Sequence, residues 1–289
     1  MSVIMRRKTK IFILALLLGW IYSFQDAAAV RYKNSEDAVR IMEIISQVKA
    51  EDYGDRIVEA ARFLEGIPWG ASADNDSIGS LVVRLDSLNQ REFIYTALAI
   101  AKTSQLTAPS LRDFEKNLEN VSRRKGVDEG FTSQFLYGSD WIVDNVYRGN
   151  LQEMTEYIEV GNSRTKTLDY VSRHPEQFPA MADSVTAEKV RVIEFGFRSH
   201  RIPHLKKQSI NNKNIKEILK NGDILILSPM DTDFDIYDIG IVTIDKGEPY
   251  LIHISKEKNE VMQDPYPLSR LFKNEGQHFY GFRWLRPLE

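Results

Sequence analysis

The sequence predicts an α+β fold in which helices come first and an antiparallel sheet follows. Apolar residues recur at helical spacing through most of the chain before Gly222. After it come four short runs, GDILILSP, DIGIVTI, EPYLIHIS and HFYGFRWL, rich in β-branched and aromatic residues and separated by Gly, Pro and Asp. Helices followed by sequential strands are the pattern of α+β domains. With 289 residues, 43% of them hydrophobic and 27% charged, the chain is large enough to bury a substantial core.

The first segment stands apart. MRRKTK is basic, IFILALLLGWIY is a short apolar run, and QDAAAV places Ala27 and Ala29 in A-x-A register. This is expected to be a secretory signal peptide spanning 1–29, with the mature chain starting at Val30. The apolar run is shorter than the ~20 residues that span a bilayer, which argues against an uncleaved anchor. Cleavage removes four cations and one acid and moves the formal charge from −3 to −6. An acidic exported protein gives no support for a nucleic-acid partner, and none is expected. Residues 30–289 read as a single domain, without an internal repeat or low-complexity linker.

Two amphipathic helices are expected at 35–50, capped near Ser35, and at 55–69, ending near Gly66 and Pro68. The loop 70–80, GASADNDSIGS, leads to the segment RLDSLNQREFIYTALAIA (84–101). There Asn89 and Glu92 form a capping box, so Gln90 takes the first helical position, beside free backbone N–H groups. A further helix is expected over 109–126, with Ser110 near its start. A mixed stretch follows at 130–150, in which Asp140 and Trp141 read as a helix start with the ring packed inward. The last helical pattern lies at 187–199.

The polar residues of the strands and loops each have an ordinary structural role as well as a functional one. His200 and His204 are four apart, but Pro203 lies between them and no acid has matching spacing, so surface histidines on a loop are expected and no metal site. His174 precedes Pro175 and reads as a turn residue, while His278 stands at a strand start. His253, at the end of an apolar strand core, and Asp238, at the start of DIGIVTI, are the polar residues best placed to face a cleft. A packed, hydrogen-bonded role is the ordinary alternative for both. The sequence contains no cysteine, P-loop, dinucleotide fingerprint, G-x-S-x-G elbow or zinc motif, and no cofactor is implied.

In this order, IVEAARFLEGIPWGA, LVVRLDSLNQREFIYTALAIA, SQFLYGSDWIVDN, TLDYVSRHPEQFPA and the strands through YLIHIS resemble the N-acetylmuramoyl-L-alanine amidase-like family. These are secreted bacterial cell-wall hydrolases related to NlpC-type papain-like cysteine peptidases, and the similarity runs from about Ile57 to Pro287. The resemblance implies a papain-like core with N-terminal helices packed on a C-terminal antiparallel sheet or half-barrel. In the family pattern, Leu-Asp-Cys-x-Thr-Phe opens the core helix, an Arg and a His precede Tyr-x-x-Asp-Trp, and Asp-x-x-His-x-Gly-Ile and Leu-His-Ala-Ser lie on the strands. Carried onto this chain, Gln90 stands at the nucleophile, Asn89 where an Asp is usual, and Asp238 at the general-base histidine. Leu136 takes the place of another active-site histidine and Gln134 that of an Arg, and only His253 keeps the family residue. Trp69, Asn89, Tyr137, Asp140 and Trp141 are the expected cleft lining.

A glutamine amide is not a usable nucleophile and does not titrate near neutrality. The resemblance therefore implies an exported, amidase-like pseudoenzyme of the periplasm or cell exterior that binds peptidoglycan peptides or modulates an envelope protein, with no stable membrane anchor after cleavage. Two alternatives remain at this stage. One is a hydrolase in which Asp238 and His253 activate water, with Ser87 or Tyr95 nearby. The other is an interaction domain whose cleft is filled by Trp69, Leu136, Tyr137 and Trp141.

Overall fold

The computed structural model describes residues 30–72, 80–158, 162–230 and 233–289. The expected signal peptide, 1–29, and most of the 70–80 loop lie outside the described residues.

Helices of seven residues or more are α1 (Ser35–Gln47), α2 (Tyr53–Phe63), α3 (Gln90–Ser104), α4 (Leu111–Ser122), α5 (Gly138–Tyr147), α6 (Ser184–Phe195) and α7 (Leu268–Asn274). The strands are β1 (Arg31–Tyr32), β2 (Val82–Val83), β3 (Leu151–Glu153), β4 (Ser163–Lys166), β5 (His200–Pro203), β6 (Leu205–Lys206), β7 (Ile224–Pro229), β8 (Asp238–Asp245), β9 (Glu248–Ser255), β10 (Glu260–Gln263) and β11 (Phe279–Pro287). The fold is α+β, with all pairs of the main sheet antiparallel, in the order β10-β9-β8-β7-β11-β3 and with β6 also paired to β11.

Helix α3 holds the centre. Ten of its fifteen residues are buried, so it is enclosed on most sides, as only a helix packed by several neighbours can be. It packs against α2, α4 and strand β8. Its cap is as the sequence predicts: the Asn89 side chain accepts the N–H groups of Arg91 and Glu92, both at 2.9 Å, and Glu92 accepts the Asn89 N–H at 3.0 Å. These bonds satisfy donors that the first turn cannot satisfy internally.

Strand β7 shows how the sheet is covered on both faces. Ile224 and Ile226 join the core shared with α2, α3 and α4, whereas Leu225 and Leu227 join a second core with α7 and β11. This is the period-2 alternation of a strand buried on both sides. A third cluster, around Tyr137, Leu168, Val171 and Val190, packs α6 against the segment just before α5 and the 168–181 connection, outside the sheet.

The boundaries shift from expectation by a few residues, for local reasons. Asn34, not Ser35, caps α1, and Asp52 caps α2 by accepting the Gly54 N–H at 2.8 Å. The loop expected around His200 and His204 is a correction. His200 opens β5, which pairs with β4 opposite Lys166, and His204 sets its ring edge-on to Tyr280 at 4.7 Å. Pairing across distant segments decided this, and no local periodicity announces it.

Ile100 is fully buried in α3, whereas Val143 on α5 is 50% exposed. Ile100→Ala is expected to cost about 2–5 kcal/mol of unfolding free energy, and Val143→Ala no more than about 0.5 kcal/mol. Urea denaturation of the two variants checks this contrast.

Candidate functional site

The first turn of α3 meets the start of β8. Gln90 Nε2 donates to Asp238 Oδ1 at 3.0 Å, across 148 residues of sequence. The other oxygen, Asp238 Oδ2, lies 2.7 Å from His253 Nδ1 on the neighbouring strand β9. Asp238 Oδ1 also accepts the Ile239 N–H at 2.8 Å, so its carboxylate has three protein partners. On the far side of the ring, His253 Nε2 is 3.5 Å from Asp264 Oδ2, with no hydrogen-bond partner closer. Asp238 and His253 are 4% and 5% exposed.

Thus the structure brings three of the expected residues, Gln90, Asp238 and His253, into one hydrogen-bonded line. Asp264 extends it through the 3.5 Å charge contact with His253 and is the residue that sequence reasoning missed. Its only signal is an acid one residue beyond β10, in the turn that returns the chain past Leu251, where the Asp264 N–H donates to the Leu251 carbonyl at 2.8 Å.

The electrostatics follow from the geometry. Burial by itself would pull the His253 imidazole below its usual value. The carboxylates of Asp238 and Asp264 on opposite ring nitrogens outweigh burial and push the pKa up to about 10. The raised pKa favours the imidazolium at neutral pH, with Nδ1 bonded to Asp238 and Nε2 facing Asp264 at 3.5 Å.

The remaining expected site residues sort differently. Asn89 is held by the cap and lines a small cavity of about 40 Å³ together with Arg84, Arg91 and Gln134. Trp69 is 49% exposed; its backbone pairs with Leu88, two residues before α3, and its N–H donates to the Asn259 carbonyl at 2.8 Å. Leu136 is half-buried against the cluster around Tyr137 and Val190.

Tyr137, Asp140 and Trp141, expected to line a cleft, are core residues instead. The Tyr137 hydroxyl donates to buried Glu194 at 2.6 Å, and the Trp141 indole donates to the Val121 carbonyl at 2.9 Å. Asp140 binds the Arg124 guanidinium, 2.7 Å from Oδ2, and accepts the Leu136 N–H at 3.1 Å. Aromatic and acidic residues in a helix start serve packing and capping as readily as a cleft, and here packing wins. The two hydroxyls considered as helpers also have other roles: Ser87 Oγ bonds to Asp86 at 3.3 Å, and Tyr95 packs its ring on Trp141 at 5.7 Å. Among the described residues, no group of three or more His, Asp or Glu is arranged to hold a metal ion.

The N-acetylmuramoyl-L-alanine amidase-like family matches residues 61–277, a span that contains α3, β8, β9 and the whole hydrogen-bonded line. The chain belongs to this family. Among solved structures, an N-acetylmuramoyl-L-alanine amidase from Bacteroides uniformis ATCC 8492 is similar, with a TM-score of 0.72 and 24% identity over 82% of this chain and 99% of its own. A "putative xylanase" from Bacteroides fragilis has a TM-score of 0.68 and 27% identity over 78% of this chain and 99% of its own. Protein LPG0564 from Legionella pneumophila keeps a TM-score of 0.67 at 15% identity, over 88% and 95% of the two chains. The first and third likenesses establish the shared fold. A search of curated proteins finds no match. Membership of the amidase-like family fixes the scaffold; what this site does must be argued from its own side chains.

One consequence is a pH dependence of stability. The folded His253 holds its proton far more tightly than an unfolded histidine, whose pKa is about 6.5. The stabilisation is thus fully present below about pH 6.5 and is lost as pH rises toward about 10. Unfolding free energy is expected to fall between pH 7 and 10 with a slope of up to about 1.4 kcal/mol per pH unit. Denaturant titrations across that range check this, and His253→Gln is expected to flatten the slope.

Proposed function

We propose that the chain is a non-hydrolytic member of the amidase-like family, exported to the cell envelope as residues 30–289, that binds peptidoglycan peptides on a papain-like, NlpC-type scaffold. The observation that carries this reading is the hydrogen bond from the Gln90 amide to Asp238. In the arrangement that the family resemblance implies, a thiol at position 90 faces an imidazole at position 238, which takes and returns its proton. Here the same two positions are joined by an amide donor and a carboxylate acceptor. Neither partner attacks a carbonyl, and neither activates the other.

The reading in which Asp238 and His253 activate water has one observation in its favour, their 2.7 Å contact. The protonation of His253 weighs against it. A water-activating dyad needs a neutral imidazole with a free lone pair, and both ring nitrogens of His253 face carboxylates. Trp69 remains exposed beside the α3 cap and Tyr137 and Trp141 are committed to the core, which favours retained binding over a cleft plugged by those rings. Modulation of an envelope protein partner is the use of the same fold that would operate if peptides do not bind.

The test is incubation of the purified chain with intact peptidoglycan and soluble muropeptides, with products read by mass spectrometry and binding by co-sedimentation. Binding without new products is expected. Products that disappear with His253→Ala would overturn the non-hydrolytic reading, and the absence of both binding and products would overturn peptide recognition.

Rebuilding the pair gives a second check. Gln90→Cys alone is expected to leave a sluggish thiol, because the Asp238 carboxylate beside it disfavours the thiolate. Gln90→Cys combined with Asp238→His is expected to yield a thiol that iodoacetamide alkylates at neutral pH, measured as the rate of mass addition. Equal rates in the single and double variants would show that positions 90 and 238 do not form a nucleophile–base pair on this scaffold.

A further inference from the structure

Away from this line, an open groove of about 730 Å³ runs between the segment after β6 and helix α7. Three cations line it, Lys207, Arg270 and Lys273, together with the amides of Gln208, Asn211 and Gln277, and none of the residues lining it is acidic. The chain as a whole carries a formal charge of −3, so a concave, donor-rich surface without a carboxylate departs from the rest of the molecule.

Two of the cations are held in place. The Arg270 guanidinium stacks 3.9 Å over the Tyr266 ring, which leaves its in-plane N–H groups pointing outward. The Lys207 ammonium donates to the Gly276 carbonyl. Gly276 keeps this cradle open, since a Cβ there would meet the Phe272 carbonyl oxygen at 2.5 Å and lie 3.3 Å from Lys207 Nζ. Lys273 is exposed in the last turn of α7, where the helix dipole favours a cation.

The acids nearest in sequence are engaged elsewhere. Asp264 faces His253, and Glu275 accepts the Tyr237 hydroxyl at 3.0 Å. Among the described residues, Lys207, Arg270 and Lys273 form no ion pair with a carboxylate, in contrast to Arg84, Arg123, Arg124, Arg148, Arg283 and Arg286, each of which has one.

We propose that this groove is a binding site for a multiply charged oxyanion, a phosphate- or polycarboxylate-bearing ligand. An anion that bridges the three cations accepts charge-assisted hydrogen bonds from them. The volume admits a ligand larger than a single ion. The site is separate from the Gln90–Asp238–His253 line, and the proposal stands whether or not that line binds peptides.

The experiment is isothermal titration of the full chain with inorganic pyrophosphate and, separately, with tricarballylate, at low and at moderate salt. Saturable binding of one or both is expected, weaker at the higher salt. Lys273→Glu and Arg270→Gln, both on exposed side chains, are each expected to weaken it roughly tenfold, with the thermal midpoint of the free protein unchanged. Tighter pyrophosphate binding assigns the ligand to phosphates, and tighter tricarballylate binding assigns it to carboxylates. The absence of saturable binding to either probe, or affinities unmoved by both substitutions, would overturn the site.

Discussion

A helix enclosed by other helices and by a sheet has to satisfy its own ends, and α3 is such a helix. Its apolar residues, from Phe93 to Ala101, are buried, so the helix cannot slide or rotate without exposing them. The Asn89–Glu92 capping box then fixes where the first turn begins. With both constraints in force, the side chain at position 90 is delivered to one place, the start of β8. The sheet answers from its own side, because the pairing of Gly240 with His253 sets β8 and β9 in the register that brings Asp238 against the imidazole. The site is the product of these two registrations, one helical and one strand-to-strand.

Much of this was legible in the sequence, and the division between read and unread is physical. The capping box is a local signal, and it placed Gln90 at the helix start correctly. The strands β7, β8, β9 and β11 announce themselves by β-branched runs between turn residues. By contrast, β4 and β5 are short segments that pair only with each other across 34 residues, and β10 is a four-residue edge strand. Such pieces are strands because of their partners, and a single sequence does not display the partner. The same limit applied to Asp264, and to Tyr137, Asp140 and Trp141, whose residue types suit a cleft and a core equally well.

The energetics of the line differ from those of a surface ion pair. Asp238 and His253 are both almost wholly buried, and each would pay a large desolvation cost alone. They bond to one another and to the Gln90 amide, and Asp264 adds a second charge contact at 3.5 Å, so removal of either member of the central pair strands the other. Apolar replacements of the same volume would avoid the cost altogether. The group is therefore a specificity device of the fold as much as a source of stability: it accepts a single arrangement of α3, β8 and β9.

The arrangement that the family resemblance implies distributes its charges differently from the line seen here. There, the negative member of the pair is a thiolate at position 90, on the helix N-terminus, and the positive member is an imidazolium at position 238. In this chain the negative charge sits at position 238 and the positive charge at position 253, and a neutral amide stands at position 90. Set against the implied arrangement, the ion pair lies one position along the line, away from the helix tip. The positive end of the α3 dipole still faces an anion, the Asp238 carboxylate, so the electrostatic logic of the scaffold is kept. On the proposed non-hydrolytic reading, the scaffold keeps a charge pair and its folding consequences while position 90 carries no group that would cut a bond.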